Sequence, residues 1–253
     1  MSDVDHKAEA LLAELKPNSP SAAPGQNFLP PQTRRDIPGE YGSTPAWRAG
    51  EGPPTLFVHG WDDTHRVWRR FAQDFLQNTR PVLVMDLPGH GASKAEHCTP
   101  VTAGVAVAEV CAAEGPIDTI IAHSFGCDAG VRAIAAGASP DYLILIAPPL
   151  LDWTDYQRLK GHHDAVIARA LALHCERTGS DMGRTDFRTA LADYKGKVLL
   201  VGSDADESSP LALIRDLAHS LPGARLVEDS ALSHRDIALD PRILSEITAF
   251  LGY

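Results

Sequence analysis

From Thr55 onward, short apolar runs recur along the chain: "TLFVHG", "PVLVMDLPG", "IDTIIAHS", "DYLILIAPP", "KVLLVGSD" and "ARLVEDS", each broken by turn residues. Their Val, Ile and Leu are continuous rather than interleaved with polar residues, which suits strands covered on both faces. Between the runs the spacing becomes helical. "THRVWRRFAQDFLQN" repeats Val67, Phe71 and Phe75 every four residues, and "PVTAGVAVAEVCAAEG" opens on Pro100 and closes on Gly115. "SPLALIRDLAHSLPG" and "DPRILSEITAFLG" each start near a Ser or Asp and a Pro and stop before a Gly. Proline is tolerated in a helix's first turn, where its missing N–H has no partner to lose, and glycine suits the position past the end. Strands alternating with helices of this length predict an α/β fold with a mostly parallel central sheet and helices on both faces.

Two stretches depart from the alternation. Residues 150–195 contain helical patches but no convincing strand, and are expected to form a short helical cap inserted over the strand ends. Near the N-terminus, Val4, Ala8, Leu11, Leu12 and Leu15 fall at helical spacing, and the Pro-, Ser- and Gly-rich "KPNSPSAAPGQNFLPPQ" follows. Residues 1–45 therefore read as a partly ordered arm and residues 46–253 as the main domain. The arm's leucine stripe is expected to pack on the body of the protein or on a second copy in a homodimer.

Composition narrows the function classes. A formal net charge of -10 argues against a nucleic-acid partner, because phosphate binding needs clustered Lys and Arg. No window approaches ~18 consecutive apolar residues, so no membrane span is expected. The start "MSDVDHKAEALL" lacks the basic and apolar regions of a signal peptide. Cys98, Cys111, Cys127 and Cys175 show no paired framework, so free thiols in the cytoplasm are expected.

In open α/β sheets, ligands bind beyond the carboxyl ends of the strands. The residues following the runs include His59, Gly60 and Trp61, then Asp86, then Ser124, then Asp204 and Asp206, and finally His234. A serine, a carboxylate and a histidine thus appear in that order at predicted strand ends. "GHHD" and "HGWDDTH" lack a recognised zinc spacing, so no metal is expected, and His123 reads as structural. Leu150, Trp153 and Tyr156 open the insertion and could wall an apolar substrate pocket.

On "HGW" (59–61), "DLPGHGAS" (86–93), "AHSFG" (122–126), "VGSDADESSP" (201–210) and "LSHRD" (232–236), the chain resembles the α/β-hydrolase family from about residue 45 to its end. The resemblance implies Ser124 as nucleophile and His234 as general base. It implies an oxyanion hole from the backbone N–H groups of Trp61 and Phe125, and no cofactor. Ala122 stands where the family usually has the first glycine of the elbow, which adds a methyl group at a tight bend. The acid is left open. The usual place is taken by Ala205, so Asp204 and Asp206 compete, the spacing to Pro210 favours Asp206, and Asp152 is a third candidate.

The activity this implies is hydrolysis of a small or medium carboxylic ester through an acyl-enzyme. Thioesters, lactones and carbon–carbon bonds are alternative targets of the same residues, and a non-catalytic small-molecule-binding protein is the alternative outside enzymes. Haloalkane and epoxide hydrolysis are disfavoured, because those relatives carry Asp where this chain has Ser124.

Overall fold

A computed structural model of the chain describes residues 2–18, 28–29, 33–179, 182 and 185–252. Its centre is an eight-stranded sheet in the order β1-β2-β4-β3-β5-β6-β7-β8. The strands are β1 (Arg34–Ile37), β2 (Thr44–Ala49), β3 (Thr55–Val58), β4 (Val82–Met85), β5 (Thr119–His123), β6 (Tyr142–Ile146), β7 (Lys197–Ser203) and β8 (Arg225–Asp229). β3 to β8 pair in parallel, and β1 and β2 run antiparallel at one edge. All six strands expected from the apolar runs are present.

The arm expected over residues 1–45 needs correction. β1 and the start of β2 belong to the sheet, so a boundary at 45 cuts through a strand. β1 reads "RRDI" and exposes all but Ile37, as an edge strand can, so it carries no apolar run to find. Most of the Pro-, Ser- and Gly-rich stretch that follows Lys16 lies outside the described residues.

Side chains within each apolar run alternate between two cores. Leu56, Val58, Ile120, Ala122, Leu143 and Leu145 face α3 (Pro100–Glu114), α4 (Phe125–Ala135) and α8 (Leu211–Ser220). Phe57, Ile121, Ile144 and Ile146 face α2 (Arg69–Gln77) and α9 (Pro241–Leu251). Each such Val, Leu, Ile or Phe side chain, fully removed from water, stabilises the fold by roughly 1.5–3 kcal/mol. Ser209, expected beside the start of α8, does not cap it: its hydroxyl donates to the carbonyl of Ala147 at 2.8 Å.

The insertion between β6 and β7 holds α5 (Trp153–Leu159), α6 (Asp164–Thr178) and α7 (Phe187–Leu191). α1 (Asp3–Ala13) begins in a capping box between Ser2 and Asp5 and lies against α6. Its Ala8, Leu11 and Leu12, with Leu15 just beyond, share one small core with Val166, Ile167, Ala170, Leu173 and Met182. The leucine stripe thus packs on the body of its own chain, one of the two places expected for it. No helix among the described residues is long and apolar enough to cross a membrane. Cys98, Cys111 and Cys127 are buried free thiols, and Cys175 is an exposed one.

Candidate active site

Ser124 sits between β5 and α4 with φ +50°, a backbone conformation rare for a residue with a side chain. Bonds on either side hold it there: its N–H donates to Ile146 O at 2.9 Å, and its carbonyl accepts from the N–H of Cys127 at 2.8 Å. The bend requires glycine two residues on. A Cβ on Gly126 would stand 2.5 Å from His59 O and 2.6 Å from Val58 O, both backbone atoms of the neighbouring strand's exit. Ala122 meets no such obstacle. It faces Gly130 of α4, where even an added Cβ would remain 3.8 Å away, so the methyl expected to tighten the bend fits under a second glycine.

Three distant segments meet at this hydroxyl. His234, in the loop after β8, places Nε2 2.7 Å from Ser124 Oγ and Nδ1 2.6 Å from Asp206 Oδ2. A carboxylate accepts, so Nδ1 carries the hydrogen and Nε2 presents its lone pair to the serine hydroxyl. Asp206 is buried, and its other oxygen accepts the N–H groups of Ser208 and Ser209 at 2.9 and 3.1 Å. Asp204 is exposed, and Asp152 accepts from the N–H of Asp155 as the N-cap of α5. Of the three carboxylates weighed from the sequence, only Asp206 touches the imidazole.

His123 steadies this loop from below. Its Nε2–H donates to the carbonyl of His234 at 2.8 Å. Burial, aided by repulsion from His234, pushes its pKa down to about 4, so the ring is neutral at pH 7. Its structural reading stands.

The turn after β3 approaches from the other side. His59 Nδ1–H donates to Gly60 O at 2.7 Å while its Nε2 accepts the N–H of Leu87 at 3.0 Å. His90 Nε2 accepts the N–H of Asp62 at 3.2 Å. Burial depresses both imidazoles, His59 to about 3, which keeps the lone pairs these bonds require. The Trp61 ring lies edge-on to Phe125, centroids 5.1 Å apart. Phe125 is the first residue of α4, where a helix N–H has no acceptor of its own. "DLPGHGAS" forms the supporting loop: Asp86 accepts from His65 and the N–H of Ala92, and Ser93 accepts the N–H of Gly89.

A cavity of about 450 Å³ opens onto Ser124 and His234. Leu150, Trp153 and Tyr156 line it, as the insertion's composition suggested, together with Trp61 and Phe125. Leu11, Glu14 and Leu15 also line it, and the sequence did not show this. The stripe was legible, but no local signal reports where a helix docks. Among the described residues, no group of three or more His, Cys, Asp or Glu side chains is arranged to hold a metal ion.

Comparison with known proteins bears on the family and the fold. The model of the Alpha/beta hydrolase family matches residues 55–246. An esterase from Rhodococcus sp. is similar in structure at 19% identity, with a TM-score of 0.68 over 87% of this chain and 98% of that one. An esterase from Pyrococcus furiosus matches at 19% identity, with a TM-score of 0.66 over 92% of this chain and 98% of its own. A bromoperoxidase from Bacillus anthracis matches at 16%, with a TM-score of 0.68 over 87% of this chain and 99% of its own. At these identities the likeness is one of fold.

Proposed function

The chain belongs to the alpha/beta hydrolase family, and from that premise we propose that it hydrolyses small or medium carboxylic esters through an acyl-enzyme on Ser124. One observation carries the reading: the His234 ring bridges the Ser124 hydroxyl and the buried Asp206 carboxylate at 2.7 and 2.6 Å.

In the first half-reaction Ser124 Oγ attacks the ester carbonyl and its proton passes to His234 Nε2. Asp206 holds the ring in the required tautomer and stabilises the imidazolium that forms. The carbonyl oxygen becomes an oxyanion, for which the N–H groups of Trp61 and Phe125 are the donors, each contributing ~3 kcal/mol in comparable sites. Collapse expels the alcohol, which takes the proton from His234. Water then enters, gives a proton to His234 and attacks the acyl carbon, and a second collapse returns Ser124 and releases the acid.

Ser124→Ala is expected to lower turnover of p-nitrophenyl acetate by at least ~10³-fold and to abolish labelling by a fluorophosphonate, with the circular dichroism unchanged. Wild-type turnover in that variant would end the proposal. Thioester and lactone substrates draw on the same residues, and the wild-type enzyme screened on them ranks the leaving groups. A purely binding role would be favoured by an acid displaced from the imidazole, and the contact between Asp206 and His234 supports the hydrolytic reading instead.

A further inference from the structure

The cavity beside Ser124 has walls from parts of the chain far apart in sequence. α4 and the exit of β3 supply Phe125 and Trp61, the insertion supplies Leu150 and Trp153, and the N-terminal segment supplies Leu11, in α1, and Leu15, just beyond it. The helical segment is seated firmly. Asp5 pairs with Arg169 at 2.8 Å, Glu14 pairs with Lys160 at 2.7 Å, and Glu9 pairs with Arg177. Past the helix, the carbonyl of Leu15 accepts the N–H of Cys98 at 2.9 Å, and the N–H of Asn18 donates to Asp62 Oδ1 at 2.7 Å. Asp62 follows Trp61 directly, so the segment is tied both to the insertion and to the turn beside the nucleophile.

Its leucines divide by role. Leu11 and Leu15 line the cavity, whereas Leu12 packs in the same core against α6 without lining it. We propose that α1 and the residue pair Leu11 and Leu15 form a specificity wall that limits how long an apolar chain of the ester the site accepts. The inference rests on the ester-hydrolase reading above. Each methylene that finds an apolar wall gains about fourfold in kcat/KM, and each one that meets an obstruction gains nothing.

The test compares Leu15→Ala, Leu15→Phe and Leu12→Ala on two series, p-nitrophenyl esters of lengthening acyl chain and acetates of lengthening alcohols. In at least one series Leu15→Ala is expected to move the optimum to longer chains, by about two carbons or more, and Leu15→Phe to move it to shorter ones. Leu12→Ala loosens the same seat and is expected to leave the optimum in place. If Leu12→Ala and Leu15→Ala shift alike, or neither shifts in either series, α1 is only a structural brace and the proposal falls. A wild-type chain that hydrolyses no ester and resists fluorophosphonate overturns the underlying reading instead. A labelled, active enzyme with a fixed optimum overturns only the role of α1.

Discussion

At the residue scale, the two small positions around Ser124 differ in what they tolerate. Gly126 faces backbone oxygens of the β3 exit at 2.5 and 2.6 Å from any Cβ, and a strand held by neighbours on both sides cannot give way. Gly126→Ala is expected to cost more than ~3 kcal/mol, above the usual overpacking range, and to leave little soluble protein. Ala122→Gly loses one buried methyl and some backbone order, on the order of 1 kcal/mol. Urea unfolding of the two variants checks the order; near-equal midpoints would show that the bend is softer than these distances imply. "AHSFG" was legible in the sequence because the need for small residues there is local. Choosing Asp206 over Asp204 was not settled by spacing alone, since two residues apart in an irregular loop carry no fixed direction. The structure separates them by burial, and by two N–H donors that only Asp206 receives.

At the scale of elements, the strands β3 to β7 were readable because their central residues are apolar and buried on both faces, and the edge strand β8 was readable from Leu226 and Val227. β1 and β2 were not. One is a polar edge, and the other, "TPAWRA", runs antiparallel with a proline and an arginine inside it. Helices were readable by period, but their approach to one another was not. α3 and α4 cross where Gly104 lets them close, and a Cβ there would stand 2.6 Å from the Cβ of Arg132. Gly104→Ala sets two effects against each other. Helix propensity favours alanine by about 0.8–1 kcal/mol, and overpacking between two helices costs about 1–3 kcal/mol. The clash is with the stem of the arginine rather than its mobile end, so it wins. A lower melting temperature is expected in Gly104→Ala, and a higher one would mean that α3 slides freely over α4.

At the scale of the whole molecule, the buried imidazoles of His59 and His123 make folding itself depend on pH. His59 and His123 titrate near 6.5 in the unfolded chain, but burial lowers them to about 3 and about 4 in the folded one. As pH falls below 6.5 the unfolded state therefore binds protons that the folded state refuses, and stability is lost until the folded values are reached. Between pH 7 and pH 5 the two rings together remove up to about 4 kcal/mol, a large share of the ~5–15 kcal/mol that holds a typical domain. The opposing effect is the formal net charge of -10, which shrinks as the pH falls and so relieves self-repulsion. Those charges are spread over the surface and screened beyond about 8 Å at physiological salt, whereas His59 must give up the N–H of Leu87 at Nε2 to take its proton, and His123 would carry a buried N–H at Nδ1 that meets no acceptor among the described residues. The local cost exceeds the diffuse relief, and the urea midpoint is expected to fall between pH 7 and pH 5. A midpoint that holds or rises over that range would mean that the rings behind the nucleophile accept protons in place, and that the neutral forms assigned to His59 and His123 are wrong.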